Sequence, residues 1–167
     1  MNHETMTLIL SNVLFIFGFL GIYQLKHWLA DYPFQNEYML QKFKPDWGFF
    51  TPLLAHCGMH ALFTFIITIV ALYGIEGGVI FAISLALLDV VAHFCMDRIK
   101  AGPKYLGRFK PLTAETYPTA TDKQKKGNQY FWWSLGIDQG FHHVTHYVII
   151  FLLWAKVWGF WEFIWAL

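Results

Sequence analysis

The chain has 167 residues, which suits one domain rather than two. Apolar residues make up 56% of it, aromatic residues 20% and charged residues only 14%, against about 25% charged in an ordinary soluble domain. That balance excludes a solvated globule, and a net charge of +1 without a basic helix or basic–aromatic interleaving gives no support to nucleic-acid binding.

The expected architecture is all-α: a polytopic membrane helical bundle of about four transmembrane helices in a single domain, residues 1–167. No Asp, Glu, Lys or Arg occurs from Thr5 to Leu25, nor from Trp47 to Ile75. A run of about 18 or more such residues marks a membrane-spanning helix. The first span covers about 6–31. Its start, Met1-Asn2-His3-Glu4, lacks the basic residues and cleavage site of a secretory signal, so it is expected to be retained. The second span covers about 49–73, and Gly74, Gly77 and Gly78 turn the chain around Glu76 into a third at about 79–100. Cys57 and Cys95, both within apolar runs, are expected to be small buried side chains rather than a disulfide.

A polar connection follows at 101–128, with Pro103, Pro111 and Pro118. The fourth span falls within about 129–156. From Gln129 to Leu167 as one helix the chain would reach roughly 60 Å at 1.5 Å per residue, twice the hydrocarbon thickness. An interruption at Gly140 or Gly159, or an interfacial course for 129–136, would resolve this. Trp132 and Trp133 at one end, and Trp154, Trp158, Trp161 and Trp165 at the other, fit interfacial anchoring.

Basic residues then orient the bundle. Arg98, Lys100, Lys104, Arg108, Lys110, Lys123, Lys125 and Lys126 lie at or after the end of the third span, and Lys26, Lys42 and Lys44 around the first connection. The second connection and the N-terminus have none. The positive-inside rule puts both basic connections in the cytoplasm and both termini outside.

Ionisable residues inside spans are costly and usually face the bundle interior for a function. Here they recur at i and i+4, on one helix face: His27 and Asp31, His56 and His60, His93 and Asp97, Asp138 and His142. With the topology above, all four pairs arrive at the cytoplasmic ends of their spans. Asp89 and His146 extend the pattern at greater depth, His143 lies about 100° round the helix from His142, and His3 reads as a solvated terminal residue. Metal sites in helical bundles are built from such two-ligand stripes. Structural His–Asp contacts that lock helices together are the competing reading for any single pair.

Mixed imidazole and carboxylate ligands suit a divalent transition metal such as zinc, manganese, iron or nickel, and the set His27, Asp31, His56, His60, His93, Asp97, Asp138 and His142 is large enough for two ions. Carboxylates not held by an ion would serve as general base and a remaining histidine as general acid; Asp31, Asp138 and His142 are the candidates. Lys42, Arg98 and Lys100 stand where a substrate headgroup phosphate would be held.

His27-Trp-Leu-Ala-Asp31 followed by Gln35 and Lys42, then His56 and His60, then His93-Phe-Cys-Met-Asp97-Arg-Ile-Lys100, then Asp138-Gln139-Gly-Phe-His142, resembles in order the motifs of the small bacterial and phage membrane proteins catalogued as domain of unknown function number 3307. The match omits the basic connection and the aromatic tail. The resemblance implies a bacterial inner-membrane or phage-encoded protein and no reaction. A distant likeness, by spacing, is to membrane-bound metal-dependent hydrolases. His142-His143-x-x-His146 is similar to the histidine boxes of membrane di-iron enzymes, although aspartates stand where two such boxes would need histidines.

The leading expectation is a metal-dependent hydrolase of a lipid or lipid-linked substrate at the cytoplasmic leaflet. Three others differ in class: a di-iron or haem oxidoreductase, a metal or proton transporter, and a non-enzymatic membrane subunit or phage accessory protein. The last would use the aromatic tail and basic connection to bind a second copy or another membrane protein.

Overall fold

The computed structural model describes residues 2–160. Among them there is no strand, and four long helices dominate: α1 His3–Asp31, α2 Phe50–Ala71, α3 Gly78–Ala101 and α4 Asp122–Val157. Short 3-10 turns at Met39–Phe43, Trp47–Phe49 and Leu106–Arg108 shape the connections. Trp161 and Trp165, read from the sequence as part of an aromatic belt, lie outside the described residues.

Local chemistry sets the helix limits. The Asn2 side chain accepts from Thr5 N–H and opens α1. Between α2 and α3, Gly74 and Gly77 adopt φ of 77° and 68°, a left-handed conformation that glycine reaches without a Cβ penalty. Thr121 and Gln124 form a reciprocal capping box at the start of α4. This helix begins seven residues before the expected span and runs through Gly136 and Gly140 unbroken. Gly140 is therefore no interruption. Gly159, with φ 65°, lies just past the helix end. At 36 residues α4 is about 54 Å long, so its first turns extend outside any 30 Å hydrocarbon layer.

The helices form a ring in which each packs on two neighbours: α1 on α2 and α4, and α3 on α2 and α4. Their contacts are inside-out compared with a soluble bundle. Leu14, Phe17, Ile80, Val91 and Ile137 point outward and are well exposed, whereas the interior holds His, Asp, Lys and Thr side chains. Buried Ala30, Ala61, Ala82 and Ala155 let the helix backbones approach. The stretches His3–Asp31, Trp47–Ala71 and Gly78–Arg108 are long and apolar enough to cross a membrane. The fourth expected span is not among them, because α4 carries Asp138, Gln139, His142, His143 and His146 through its middle.

The interior divides along its length. At the end where α2 meets α3 through the glycine turn, Tyr23, Leu72, Ala82, Leu85, Ile149, Ile150 and Leu153 form an apolar core. At the opposite end the polar side chains collect, flanked by a small cluster of Phe49, Leu53 and Cys57. Both cysteines are free thiols; Cys57 is buried as expected, but Cys95 is exposed on the outer face of α3.

Candidate metal centre

Each helix contributes one buried stripe to the polar end. On α1 it is Tyr23, Lys26, His27 and Ala30; on α2, Leu53, His56, Cys57, His60, Thr64 and Thr68. On α3 it is Leu85, Asp89, His93 and Asp97, and on α4 Ser134, Asp138, His142, Thr145 and His146. Spacing of three and four residues keeps each stripe on the inner face. All eight residues expected as ligands meet there.

Asp31 lies at the C-terminus of α1 with its side chain facing three imidazoles. The Nε2 atoms of His27, His56 and His60 stand 3.2, 3.4 and 3.1 Å from its carboxylate oxygens. Asp97 is surrounded similarly: His56 Nε2 at 3.1 Å, His142 Nε2 at 3.2 Å and Lys42 Nζ at 3.1 Å. Asp138 Oδ1 lies 3.4 Å from His142 Nε2. Asp31 is partly exposed, whereas Asp97 and Asp138 are buried.

These separations suit a coordination shell. Two donor atoms each about 2.1 Å from one ion lie about 3.0 Å apart at a right angle and about 3.4 Å apart at a tetrahedral angle. Charge-assisted hydrogen bonds are shorter, about 2.7–2.9 Å. His56 Nε2 also faces two carboxylates at once, although one N–H can be well shared with only one of them. Among the described residues, four sets of three side chains bring their ligand atoms within 4.8 Å of one another: His27, His60 and His93; Asp31, His56 and His60; Asp89, His93 and His146; Asp97, Asp138 and His142. These groups can hold a metal ion.

A recess of about 220 Å³ opens onto the centre. Asp31, Lys42, Asp97, Lys100, Asp138 and His142 are among its walls. The three basic residues expected around a headgroup do not share one position. Lys42 is buried in its ion pair with Asp97. Lys100 also lines the recess, with Nζ 3.3 Å from Ser134 Oγ. Arg98 lies in a different depression with Trp47, Phe49 and Lys104, its guanidinium 3.5 Å from the Phe49 ring centre. His143 is partly exposed and pairs with Gln24 rather than with the cluster carboxylates, Nδ1 3.1 Å from Gln24 Nε2.

Sequence reasoning missed three participants. Lys26, counted there among the charges of the first connection, reaches back to Asp89, with Nζ 2.7 Å from Oδ2, both side chains buried. Its signal is its place three residues after Tyr23 and four before Ala30, on the inner face of α1. Thr64 donates to the same oxygen at 2.6 Å, and its signal is the continuation of the His56–His60 stripe by another four residues. Gln139, noted only within a motif, puts Oε1 3.3 Å from His27 Nε2.

A family model described as "Protein of unknown function (DUF3307)" matches residues 19–164, most of the chain, and the chain belongs to this family. Comparison with curated proteins and with solved structures found no match.

Proposed function

For this DUF3307 member we propose a membrane-embedded, metal-dependent hydrolase that acts on a lipid or lipid-linked substrate at the cytoplasmic leaflet of the bacterial inner membrane. The observation that carries the reading is the recess, which Asp31, Asp97, Asp138 and His142 line together with Lys100 and Lys42. In this reading the chain crosses the bilayer four times with both termini outside, and α4 supplies the fourth crossing despite its polar inner face.

A divalent ion held there by Asp97, Asp138 and His142, or by Asp31, His56 and His60, would acidify a bound water and polarise a phosphoryl oxygen. The chain's own groups supply the rest. When the ion is held by Asp97, Asp138 and His142, Asp31, a partly exposed residue lining the recess, is free to take a proton from an incoming water. When the ion is held instead by Asp31, His56 and His60, His142, between Asp97 and Asp138, is free to give a proton to a leaving oxygen. Lys100 offers an ammonium to an anionic headgroup, as a point charge rather than a fork.

The mainly apolar packing of the opposite end, by Tyr23, Leu72, Leu85, Ile149 and Leu153, supports an enzyme over an ion conduit. The reading is tested by elemental analysis of the purified protein together with phosphate release from lipid phosphates in mixed micelles. Bound transition metal and chelator-sensitive turnover are expected, both reduced in the His56→Ala/His142→Ala double variant, which takes a ligand from either set. Metal-free protein, or metal content unchanged in that variant, would sink it.

A further inference from the structure

The cluster histidines differ in which ring nitrogen faces a carboxylate: Nε2 in His27, His56, His60 and His142, Nδ1 in His93. For His27, His56, His60 and His142 the Nδ1 atom is buried with no hydrogen-bond partner among the described residues. His93 is built the other way round. Its Nδ1 lies 3.1 Å from the main-chain oxygen of Asp89 and 2.9 Å from that residue's Oδ1. Both of those oxygens only accept, so Nδ1 carries the hydrogen and Nε2 presents a lone pair. That Nε2 is buried and has no hydrogen-bond partner among the described residues.

Asp89 is itself fixed, by Lys26 Nζ at 2.7 Å and by the Thr64 hydroxyl at 2.6 Å. A carboxylate behind an imidazole, with further bonds behind the carboxylate, is how metal-ligating histidines are oriented and made more basic. The neighbours of His93 that would share an ion with it are also imidazoles. His60 is wholly buried and packs ring on ring with it at 4.1 Å, and His27 lies 5.9 Å away between ring centres. One ligand atom from each of the three falls within 4.8 Å of the other two. This set shares no residue with Asp97, Asp138 and His142. His146, whose two ring nitrogens are both buried with no hydrogen-bond partner among the described residues, lies against His27 and His93 at 5.3 and 5.8 Å, one more imidazole on the same side.

We infer that the centre is two chemically different cation sites: an inner, imidazole-rich site of His27, His60 and His93, with His93 as its anchored ligand and Asp31 beside His27 and His60, and an outer, carboxylate-rich site of Asp97, Asp138 and His142. This rests on the proposed metal centre and divides it. Three neutral nitrogens favour zinc, cobalt, nickel or iron(II), whereas two carboxylates and one imidazole also accept manganese and magnesium. The inner ion would be the tightly held one and the outer ion the one that faces the recess.

The experiment titrates the purified full-length protein in detergent with Co²⁺, read by its visible ligand-field spectrum, and with Mn²⁺, read by electron paramagnetic resonance. Wild type is expected to take up Co²⁺ first into a nitrogen-rich environment and then Mn²⁺ into a second site. Asp89→Asn should weaken the Co²⁺ site about 10- to 100-fold, the usual consequence of losing such a carboxylate, and leave Mn²⁺ binding within twofold. Asp138→Asn should do the reverse. His93→Gln, of similar size, provides a second removal of the inner ligand if Asp89→Asn fails to fold. Weakening of both ions together by each variant, or of neither by Asp89→Asn and His93→Gln, overturns the division. A single ion with mixed nitrogen and oxygen ligands overturns it and leaves the proposed function standing, whereas no ion at all removes both.

Discussion

Lys26 and Asp89 form an ion pair that neither faces solvent nor lines the recess: Nζ and Oδ2 are 2.7 Å apart, with both side chains buried. The pair bridges α1 and α3. Each partner needs the other, because water is not available to solvate the one left behind. Thr64 adds a hydroxyl from α2, so three of the four helices are joined at this oxygen.

Lys26→Met is accordingly expected to be strongly destabilising. Removing one member of a buried pair typically costs about 3 to 5 kcal/mol, since it leaves an uncompensated charge. The double variant Lys26→Met/Asp89→Asn removes both charges and should recover a large part of that loss. Unfolding by graded SDS in mixed micelles, followed by circular dichroism, measures both. A double variant no more stable than Lys26→Met would show that the pair is not the source of the cost.

Two threonines on one face of α2 give a sharper contrast. Thr64 donates to the ionised Asp89, while the Thr68 hydroxyl is satisfied within its own helix by the Thr64 main-chain oxygen at 2.7 Å. Thr→Val preserves shape and removes the donor. Hydrogen bonds to charged groups are worth about 1.5 to 3 kcal/mol, so Thr64→Val should lose roughly that amount. Thr68→Val removes only a local bond that competes with the helix's own pattern, and should fall within about 1 kcal/mol of wild type. The same SDS titration reads both, and equal losses would contradict the contrast.

Much of this site was legible because a ligand pair at i and i+4 reports both a helix and its inner face. His27 with Asp31, and His56 with His60, needed no tertiary information to be placed on one side. That the four stripes meet followed from charge counting in the connections, and the helix limits agree with the expected spans to within a few residues for α1, α2 and α3. What sequence could not supply was the direction of long side chains. Lys42 and Arg98 are both basic residues near the span ends, but one folds inward onto Asp97 and the other outward onto Phe49. Local backbone geometry decides that, and it has no periodic signature. The start of α4 was missed for a related reason. Its first turns are solvated and polar, so the helix there is set by the Thr121 cap and not by an apolar run.

The orientation has its own test. Cys57 and Cys95 are free thiols, and replacing them by alanine and serine gives a background for single introduced cysteines. Lys123→Cys at the start of α4 and Asn2→Cys at the cap of α1 are both on exposed residues. A membrane-impermeant maleimide added to intact bacterial cells is expected to label Asn2→Cys but not Lys123→Cys until the membrane is broken. The opposite pattern would invert the topology and move the recess to the outer face. Labelling of both in intact cells would rule out the four-span arrangement.

The separation of the basic residues makes a kinetic prediction for any anionic substrate. Lys100 lines the recess beside Asp97, Asp138 and His142, half-buried, with Ser134 as a hydrogen-bond partner at 3.3 Å. Removing its charge should weaken substrate binding while leaving the ligand set in place. Arg98 is stacked on Phe49 in a depression of its own and bonds the Lys44 main-chain oxygen at a long 3.4 Å. Its charge points elsewhere. Lys100→Gln is therefore expected to raise KM for a lipid phosphate about tenfold, the effect of losing roughly 1.4 kcal/mol of binding that substrate and transition state share, with kcat little changed. Arg98→Gln should alter both constants less than twofold. Steady-state kinetics in mixed micelles of fixed lipid composition separate the two, and metal content confirms that neither variant has lost the centre. An equal rise in KM for both would mean that the headgroup rests on the basic surface at large, outside the recess. A fall in kcat alone for Lys100→Gln would instead assign its ammonium to charge developing in the transition state, in contact with the reacting phosphate.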